Sequence, residues 1–254
     1  MKPYYEEPEN GIVIYRGDCR EILPHLEPVD LVLTDPPYPG LKGSTQITFD
    51  RGVGGRSIYK TVGTPWGEDI SALADAFRLC RLGMMVFCSY HSVADIPGIV
   101  GSKPITLVSW YKRNSMPSAC NVPQYETEFI WAFKRASGLN WRNLRGLYDI
   151  PFPQAGCMAS ERICDRHQGK AAHPAQKPIA LIRELLRVGG ASVLDNYLGT
   201  GTTLVAAKQL GRAAIGIEIE EKYCEIAAQR LQNISPMLEV CRDISRKGKQ
   251  EAML

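Results

Sequence analysis

The sequence predicts an α/β protein with a doubly wound, mostly parallel sheet, on three observations. Short apolar runs alternate along the chain with segments that repeat apolar residues at helical spacing. Strands that alternate with helices in this way form parallel sheets with helices on both faces. The 254 residues are 44% hydrophobic and 22% charged, which is enough to bury a substantial core. Two of the apolar runs end in acidic or glycine-containing turns, as strands do at the ligand-binding edge of such sheets.

Strands are expected where a short apolar run is rich in β-branched or aromatic residues. Seven such runs cover residues 11–15, 31–34, 84–88, 105–111, 128–133, 192–195 and 213–218. The runs over 105–111 and 128–133 are expected to be antiparallel neighbours within the otherwise mostly parallel sheet.

Five helices are expected between and after these strands. They cover residues 20–26, 70–81, 179–188, 202–210 and 220–231. In the second of them, Leu73, Ala74, Phe77 and Leu79 recur at helical spacing. Pro178 precedes the third, at a position where proline favours the start of a helix.

Two long connections interrupt this pattern. Residues 39–69 are rich in Gly, Ser and Thr, and a connection of this length is usually a functional or mobile loop. Residues 135–172 also lack clear periodicity. Because no internal repeat or low-complexity linker divides the chain, we expect one domain over residues 1–254.

Composition also excludes several classes of protein. No apolar stretch is long enough to span a membrane, and residues 1–7 contain no apolar signal core, so we expect a soluble cytoplasmic protein. The eight cysteines are then expected to be reduced thiols. Only Cys157, Cys164, His167 and His173 cluster, and their spacing does not match a zinc site. We therefore expect no bound metal.

The tetrapeptide Asp35-Pro36-Pro37-Tyr38 follows the apolar run over 31–34, where a parallel strand would end. Ligand sites in open α/β sheets lie at the carboxyl ends of strands. The two prolines have no amide donors, so their carbonyl groups can accept hydrogen bonds from a ligand. A carboxylate, carbonyl groups and an aromatic ring together suit a planar group with an exocyclic amine, such as a nucleobase. A proline-rich surface turn is the alternative.

A second cluster suggests a nucleoside cofactor. After the strand over 192–195, Asp195 leads into a turn with Gly199 and Gly201, where small residues let a ligand approach the backbone. The next strand ends in Glu218, and an acid at that place can hold both ribose hydroxyls. Leu204 replaces the third glycine of the dinucleotide fingerprint. A ribose-containing cofactor without phosphates, such as S-adenosylmethionine, therefore fits better than a dinucleotide.

The segment over residues 173–178, His-Pro-Ala-Gln-Lys-Pro, lies between these two clusters. It is either a turn before a helix or a lid over the cofactor. In the second case, its polar groups would lie near the charged methionine end of the cofactor.

Positive charge is concentrated in the middle of the chain. Residues 101–170 hold ten Lys or Arg against five Asp or Glu, interleaved with aromatic residues. This mixture is typical of a nucleic-acid surface with stacking platforms, although a solvated basic face is the alternative. The candidate phosphate contacts are Lys42, Arg51, Arg56, Lys112, Arg113, Arg142 and Arg145.

In their order, these motifs resemble the S-adenosylmethionine-dependent DNA amino-methyltransferases of the permuted beta class. In that class the catalytic motif comes first, target recognition follows, and the cofactor glycine loop comes last. Residues 35–38 match the catalytic motif, 173–178 the element before a helix, and 195–203 the glycine loop. One departure is Asn196 to Gly201, Asn-Tyr-Leu-Gly-Thr-Gly, where the family usually has Pro-Phe-Ala-Gly-Ser-Gly. Both glycines are retained, so we expect cofactor binding to be retained.

The resemblance implies a circularly permuted, seven-stranded Rossmann-like sheet, S-adenosylmethionine as cofactor and DNA as partner, and it raises the expectation of a homodimer. It assigns a short target-recognition insertion to residues 135–172. The catalytic residues it implies are Asp35, Pro36, Pro37 and Tyr38. The cofactor-binding residues it implies are Asp18, Asp35, Lys177, Asp195, Tyr197, Gly199, Gly201, Thr202, Thr203, Glu218 and Ile219.

The resemblance also favours one product, N6-methyladenine. In the family, Asp at the first catalytic position accompanies mostly adenine, and Ser mostly cytosine. Asp35 therefore favours the N6 amine of adenine at a specific site in DNA, and N4 of cytosine is the alternative.

Three more distant functions fit the sequence less well. RNA and protein-glutamine methyltransferases usually have Asn before the prolines and the cofactor loop first. A nucleotide-dependent oxidoreductase is disfavoured by the incomplete glycine fingerprint. A DNA-binding module without catalytic activity is disfavoured by the presence of both Asp35 and Glu218.

Overall fold

A nine-stranded sheet forms the centre of the protein. The computed structural model describes residues 1–37, 44–46, 60–62, 70–113, 126–153 and 176–234. The strands are β1 (Tyr5–Glu7), β2 (Ile12–Arg16), β3 (Val29–Thr34), β4 (Ser44–Gln46), β5 (Lys60–Val62), β6 (Cys80–Cys88), β7 (Thr106–Tyr111), β8 (Thr127–Lys134), β9 (Leu147–Asp149), β10 (Ser192–Asp195) and β11 (Ala213–Glu218). The α-helices are α1 (Cys19–Ile22), α2 (Ala72–Leu79), α3 (Ile96–Val100), α4 (Ile179–Leu186), α5 (Thr202–Gln209) and α6 (Glu221–Gln232).

The main sheet has the strand order β1-β2-β11-β10-β3-β6-β8-β7-β9, and β4 pairs separately with β5. Five adjacent strands are parallel to one another, in the order β2, β11, β10, β3 and β6. Strand β8 is antiparallel to β7, as expected from the sequence, and it is also antiparallel to β6. From the adjacent strands β10 and β3, the chain continues in opposite directions across the sheet, to β11 and to β6. Such a reversal opens a crevice at the carboxyl ends of the strands.

Alternation along the strands gives the sheet two buried faces. In β3, Leu31 and Leu33 pack in a core with helices α4, α5 and α6. Val32 points to the other face, where it packs in a core with α1, α2 and α3. This period of two is the geometric signature of a strand, and burial on both faces explains the continuous apolar sequence of β3.

All seven predicted strands are present, and the mostly parallel α/β class is confirmed. The predicted number of strands was too low because β1 and β9 extend the sheet at its two edges. The predicted helix over residues 20–26 is also shorter than expected. It ends as α1 at Ile22 and continues as a 3₁₀ turn over Leu23–His25. Pro24 lies in that turn and has no amide hydrogen to continue the α-helical pattern.

The two irregular connections are only partly described. Most of residues 39–69 lie outside the described residues, apart from the strands β4 and β5. Of residues 135–172, the described part reaches 153 and contains a 3₁₀ turn and β9. A target-recognition role for 135–172 stays a prediction. Among the helices in the described ranges, none has the length and apolar character needed to cross a bilayer.

Candidate active site

Four carboxylates follow the ends of four adjacent parallel strands. Asp18 comes just after β2, Glu218 ends β11, Asp195 ends β10, and Asp35 follows β3. Because these strands run in the same direction, their carboxyl ends lie at one edge of the sheet. The fold therefore brings together four acidic residues that are far apart in the sequence.

Asp195 is almost completely buried and is linked to the neighbouring strand. The hydroxyl of Thr34 donates a hydrogen bond to its Oδ1 at 2.9 Å, and the amide of Tyr197 donates to the same oxygen at 3.2 Å. Burial raises the pKa of Asp195 to about 6, although hydrogen bonds from Thr203, Thr34 and Tyr197 oppose the shift. Since Thr34 immediately precedes Asp35, this hydrogen bond joins the two candidate motifs across β10 and β3.

Glu218 holds the glycine turn in place. Its Oε2 accepts the amide of Gly199 at 2.7 Å, and its Oε1 accepts the amide of Glu220 at 2.9 Å. Burial raises the pKa of this carboxyl group, and the amide hydrogen bonds limit the rise. Each carboxylate oxygen has two lone-pair positions, so a carboxylate with these two bonds retains the capacity to accept ribose hydroxyls.

The glycine turn itself requires residues without a side chain. Gly199 and Gly201 have φ angles of 54° and 81°, in the left-handed region. A Cβ atom on Gly201 would lie 2.7 Å from the Cβ of Ala227 on α6. Arg230, also on α6, donates to the carbonyl of Thr200 at 2.5 Å and to the hydroxyl of Thr202 at 3.1 Å. Helix α6 therefore packs against the turn and fixes its conformation.

The remaining predicted cofactor residues lie around this turn. Thr202 and Thr203 are buried at the start of α5, whereas Ile219 is 49% exposed just after β11. Asp18 caps α1, because its Oδ1 accepts the amide of Arg20 at 2.9 Å, and it also forms an ion pair with the Arg20 side chain. The contact with the cofactor that the resemblance implies for Asp18 stays a prediction.

Asp35 belongs to a row of four alternating charges. Its Oδ2 forms a hydrogen-bonded ion pair with Nζ of Lys177. The same Nζ lies 3.4 Å from Oε2 of Glu128, and Oε1 of Glu128 accepts a hydrogen bond from Nζ of Lys112 at 3.0 Å. The order Asp35, Lys177, Glu128, Lys112 thus alternates in sign.

The pKa values of the two central groups, Lys177 and Glu128, reflect mutual stabilisation. Burial lowers the pKa of Lys177, but the carboxylates of Asp35 and Glu128 outweigh burial and hold it above its ordinary value. Burial raises the pKa of Glu128, but Lys177 and Lys112 outweigh burial and hold it below its ordinary value. The sequence assigned no role to Glu128. Its only signal was an acid at the start of an apolar strand.

The rest of the catalytic motif continues from β3. Pro36 is buried and Pro37 is partly buried. Tyr38 lies outside the described residues, so its predicted contact with the base stays a prediction. The prolines contribute no amide donors to this edge, which leaves carbonyl groups and the Asp35 carboxylate as acceptors.

The predicted DNA-contacting residues fall at different places. Lys112 and Arg113 follow β7 at the same edge as Asp35, where Nε of Arg113 lies 3.0 Å from Oδ1 of Asp149. Arg142 and Arg145 lie between β8 and β9, at the opposite edge of the sheet, so the structure does not bring them to Asp35. Three other candidate phosphate contacts, Lys42, Arg51 and Arg56, lie outside the described residues. The cysteines and histidines that cluster in the sequence also lie outside them, at Cys157, Cys164, His167 and His173.

As a whole, this edge suits a cationic nucleoside. The residues of the glycine turn let a ligand approach the backbone, and Glu218 offers acceptors to ribose hydroxyls. Because Arg20 balances Asp18 and Lys177 balances Asp35, the carboxylates of Asp195 and Glu218 are the ones that favour a positive charge over a phosphate. Among the described residues there is no group of three or more His, Cys, Asp or Glu that would hold a metal ion.

Comparison with known proteins gives a consistent result. The family model of the N6 and N4 DNA methylases matches residues 29–229. The chain is 27% identical to the type II methyltransferase M2.MboI of Moraxella bovis, over 94% of each protein. It is 28% identical to the type II methyltransferase M.HinfI of Haemophilus influenzae, over 88% of this chain and 69% of that protein.

A solved structure supports the same relationship. The crystal structure of M1.HpyAVI in complex with SAM is 26% identical in sequence and superposes with a TM-score of 0.59. The match covers 86% of this chain and 99% of that one.

Proposed function

Because this chain belongs to the DNA methylase family, we propose that it methylates the N6 amine of adenine at a specific site in DNA. The family is one of S-adenosylmethionine-dependent methyltransferases that act on exocyclic amines of DNA bases. The choice of adenine over cytosine, the specific site and the roles of individual residues are the proposed part.

One observation carries this proposal. The hydroxyl of Thr34 donates a hydrogen bond to Asp195, and Thr34 immediately precedes Asp35, the residue that we propose to be catalytic. A methyl donor held by the glycine turn and a base held by Asp35 would therefore occupy neighbouring positions in the crevice between β10 and β3. Such proximity and alignment contribute much of the rate in a group transfer between two bound reactants.

The chain has residues to hold each reactant. When bound, S-adenosylmethionine supplies a sulfonium methyl group that is already activated for transfer. Glu218 would accept the ribose hydroxyls, and the turn around Gly199 and Gly201 would accommodate the cofactor against the backbone. Asp195 would contribute negative charge near the sulfonium.

Asp35 and Pro36 would act on the amine. The lone pair of an exocyclic amine is delocalised into the ring, which makes the nitrogen a weak nucleophile. Hydrogen bonds from the amine to the Asp35 carboxylate and the Pro36 carbonyl would favour a more tetrahedral nitrogen. They would also stabilise the positive charge that develops there as the methyl group transfers.

Access to the amine requires an unpaired base. A base inside a duplex cannot reach this crevice, so it must rotate out of the helix, at a cost of a few kcal/mol. Tyr38 is proposed to stack on the extruded base. The preference for adenine rests on Asp35, which occupies the position where the cytosine enzymes of the family mostly have Ser.

The product identifies the base. The protein is incubated with unmethylated duplex DNA and methyl-labelled S-adenosylmethionine, and the DNA is then digested to nucleosides and separated. We expect the label in N6-methyladenine. Label found only in N4-methylcytosine would overturn the choice of adenine.

Substitution of Asp35 tests the catalytic role. Asp35→Asn keeps the size of the side chain but replaces the carboxylate, and we expect the rate of methyl transfer to fall about 100-fold or more. Asp75→Asn is the matched control, since Asp75 is exposed on α2 and pairs locally with Arg78. An Asp35→Asn protein with the rate of the control would contradict the mechanism.

A further inference from the structure

Glu128 is a charged residue in a place where the fold does not require one. It lies in β8 next to the apolar residues Phe129 and Ile130, and its side chain is only 17% exposed. It lies between two ammonium groups, those of Lys177 and Lys112, which are 6% and 15% exposed. Removing such charges from water costs several kcal/mol per ion, and well-packed apolar residues often replace a buried ion pair without loss of stability. Stability alone therefore does not explain this arrangement.

The position of Glu128 relative to Asp35 suggests its purpose. Lys177 connects the two carboxylates, because its Nζ is ion-paired with Asp35 and lies 3.4 Å from Glu128. The ring of Phe87 lies under the same ammonium group, with 5.1 Å from Nζ to the ring centroid. Lys177 is thus held from three sides, and its charge is divided between two carboxylates.

We propose that Glu128 is a positioning residue for methyl transfer, which acts on Asp35 by sharing the ammonium group of Lys177. This inference rests on the methyl transfer proposed above. It states that the sharing of the Lys177 ammonium group affects the transfer step itself. Lys177 fixes the Asp35 carboxylate in its ionised form, which can only accept hydrogen bonds. Glu128 draws part of the ammonium charge away, so that Asp35 remains a strong acceptor for the amine. Lys112 balances Glu128, and the row of four groups is neutral.

Other titratable groups face Asp35 from the neighbouring strands. The thiol of Cys88, on β6, has its pKa raised to about 12 by burial and by the carboxylates of Asp35 and Glu128, so it is neutral at physiological pH. Asp195, on β10, is a further carboxyl group close enough for Asp35 to raise its pKa. Lys177 is a cation in direct contact with Asp35, and Glu128 contacts the same ammonium group. A change at Glu128 therefore reaches Asp35 through the charge on Lys177.

Glu128→Gln tests the proposal through the dependence of the transfer rate on pH. The variant keeps the shape of the side chain but removes one of the two carboxylates that raise the pKa of Lys177. We expect a slower transfer step with little change in the KM for DNA. We also expect the alkaline limb of the rate profile to move down by about 1 pH unit or more. Single-turnover transfer of labelled methyl groups to DNA measures both.

Lys177→Met should move the opposite limb. Without the ammonium group, Asp35 and Glu128 are two carboxylates in one crevice, and each disfavours ionisation of the other. We expect the acid limb of the rate profile to move up by about 1 pH unit or more. A purely structural role for Glu128 and Lys177 would lower the rate without moving either limb, and unmoved limbs in both variants would overturn the proposal.

Two further measurements protect the test from folding defects. Glu128→Gln combined with Lys112→Met removes one charge of each sign, and its alkaline limb should still move down. The second measurement is an NMR titration of lysine-labelled protein without cofactor or DNA. The side-chain signal of Lys177 is the one that is lost in Lys177→Met. This signal should titrate at lower pH in Glu128→Gln than in the native protein. An unchanged titration would refute the sharing of charge.

The matched control is a buried ion pair remote from the site. Glu7 and Lys208 are 9% and 5% exposed, and Oε1 of Glu7 lies 2.5 Å from Nζ of Lys208. We expect Glu7→Gln to lower stability but to leave the rate profile of the folded protein unmoved. These rates are measured as total label in DNA, so they do not depend on which base is methylated. Label on cytosine would overturn the choice of adenine. The movement of the acid and alkaline limbs of the rate profile would still decide the role of Glu128.

Discussion

Asp195 is a carboxylate that the fold buries almost completely, and this has a consequence for stability. Its pKa is raised from the ordinary value of 3.8 to about 6 in the folded protein. The folded state therefore holds this proton more tightly than the unfolded state. Its stability declines as the pH rises from about 4 to about 6. Ionised Asp195 is thus a cost to the fold at neutral pH.

Asp195→Asn should remove this cost. The amide oxygen can still accept the hydrogen bonds of Thr34 and Tyr197, both of which reach Oδ1 in the native protein. The stability of the variant relative to the native protein should increase as the pH rises from about 4 to about 6, and above that range the gain should be about 3 kcal/mol. Urea denaturation at pH 4, 5, 6 and 7 measures the difference. A difference that is constant with pH would contradict a raised pKa.

The cofactor affinity of the same variant tests why the protein retains a charge at Asp195. If Asp195 contributes negative charge near the sulfonium, Asp195→Asn should bind S-adenosylmethionine more weakly while it resists urea better. Calorimetric titration of the cofactor checks this expectation.

Single residues differ in how far the sequence predicts them. Asp35, Asp195 and Glu218 were predictable because each ends an apolar run, and parallel strands bring such ends together. Glu128 was not, because its place beside Lys177 depends on the antiparallel pairing of β8 with β6. Lys177 was assigned to cofactor binding, and its ion pair with Asp35 is also a product of tertiary structure.

The glycine turn before α5 gives a prediction at the scale of an element. Gly201 has a φ angle of 81°, and a Cβ atom there would lie 2.7 Å from the Cβ and 3.1 Å from the Cα of Ala227. We expect Gly201→Ala to destabilise the protein by about 1–3 kcal/mol, through backbone strain and displacement of α6. Cofactor affinity should fall with it. Urea denaturation and calorimetry measure the two effects.

Gly98→Ala is the matched control. Gly98 lies within α3, and a Cβ atom there would meet no other atom within 4 Å. Alanine is favoured over glycine in helices by about 1 kcal/mol, so this variant should be unchanged or slightly more stable. Equal losses in both variants would show that the turn has no special requirement for glycine.

Whole elements were predictable where local sequence and tertiary structure agree. The seven predicted strands are apolar runs that the fold buries in the sheet. Strand β1 escaped prediction because Tyr5, Glu6 and Glu7 have no apolar run, and strand β9 because it has only three residues, Leu147–Asp149. Both are edge strands that depend on a neighbour already in place, β2 for one and β7 for the other. No local pattern specifies such a neighbour.

At the scale of the molecule, the N-terminal strand is anchored to α5 by the buried pair Glu7 and Lys208. Tyr5 and Asn10 also donate hydrogen bonds to Glu7, and Lys208 donates to the carbonyl of Leu231 at 2.8 Å. Removal of one partner leaves the other as a buried charge, and we expect Glu7→Gln to cost about 3–5 kcal/mol.

The double variant Glu7→Gln with Lys208→Met separates the pair from its surroundings. Because it leaves no buried charge, its loss of stability should be smaller than the sum of the two single losses. Urea denaturation of the four proteins measures the coupling. Additive losses would show that the two residues do not stabilise each other.

The topology of the sheet also divides the basic residues into two groups with different expected effects on DNA. Arg113 follows β7 at the edge that carries Asp35, and its ion pair with Asp149 is exposed. Exposed pairs contribute little, so Arg113 can exchange this partner for a phosphate at small cost. Arg142 is exposed at the opposite edge, beyond the end of β8. DNA with a base extruded toward Asp35 would therefore lie nearer to Arg113 than to Arg142.

Arg113→Ala should weaken DNA binding and reduce the slope of log K against log salt by about 1, as expected for the loss of one phosphate contact. Arg142→Ala carries the same change of charge and serves as the matched control, with a slope close to that of the native protein. Fluorescence anisotropy at several salt concentrations measures both slopes. If Arg142→Ala lost as much affinity as Arg113→Ala, DNA would have to contact both edges of the sheet, and the carboxyl edge would not be the sole binding face. A loss confined to Arg113→Ala would place the duplex across the carboxyl ends of β3 and β7, over the row of charges that leads to Asp35.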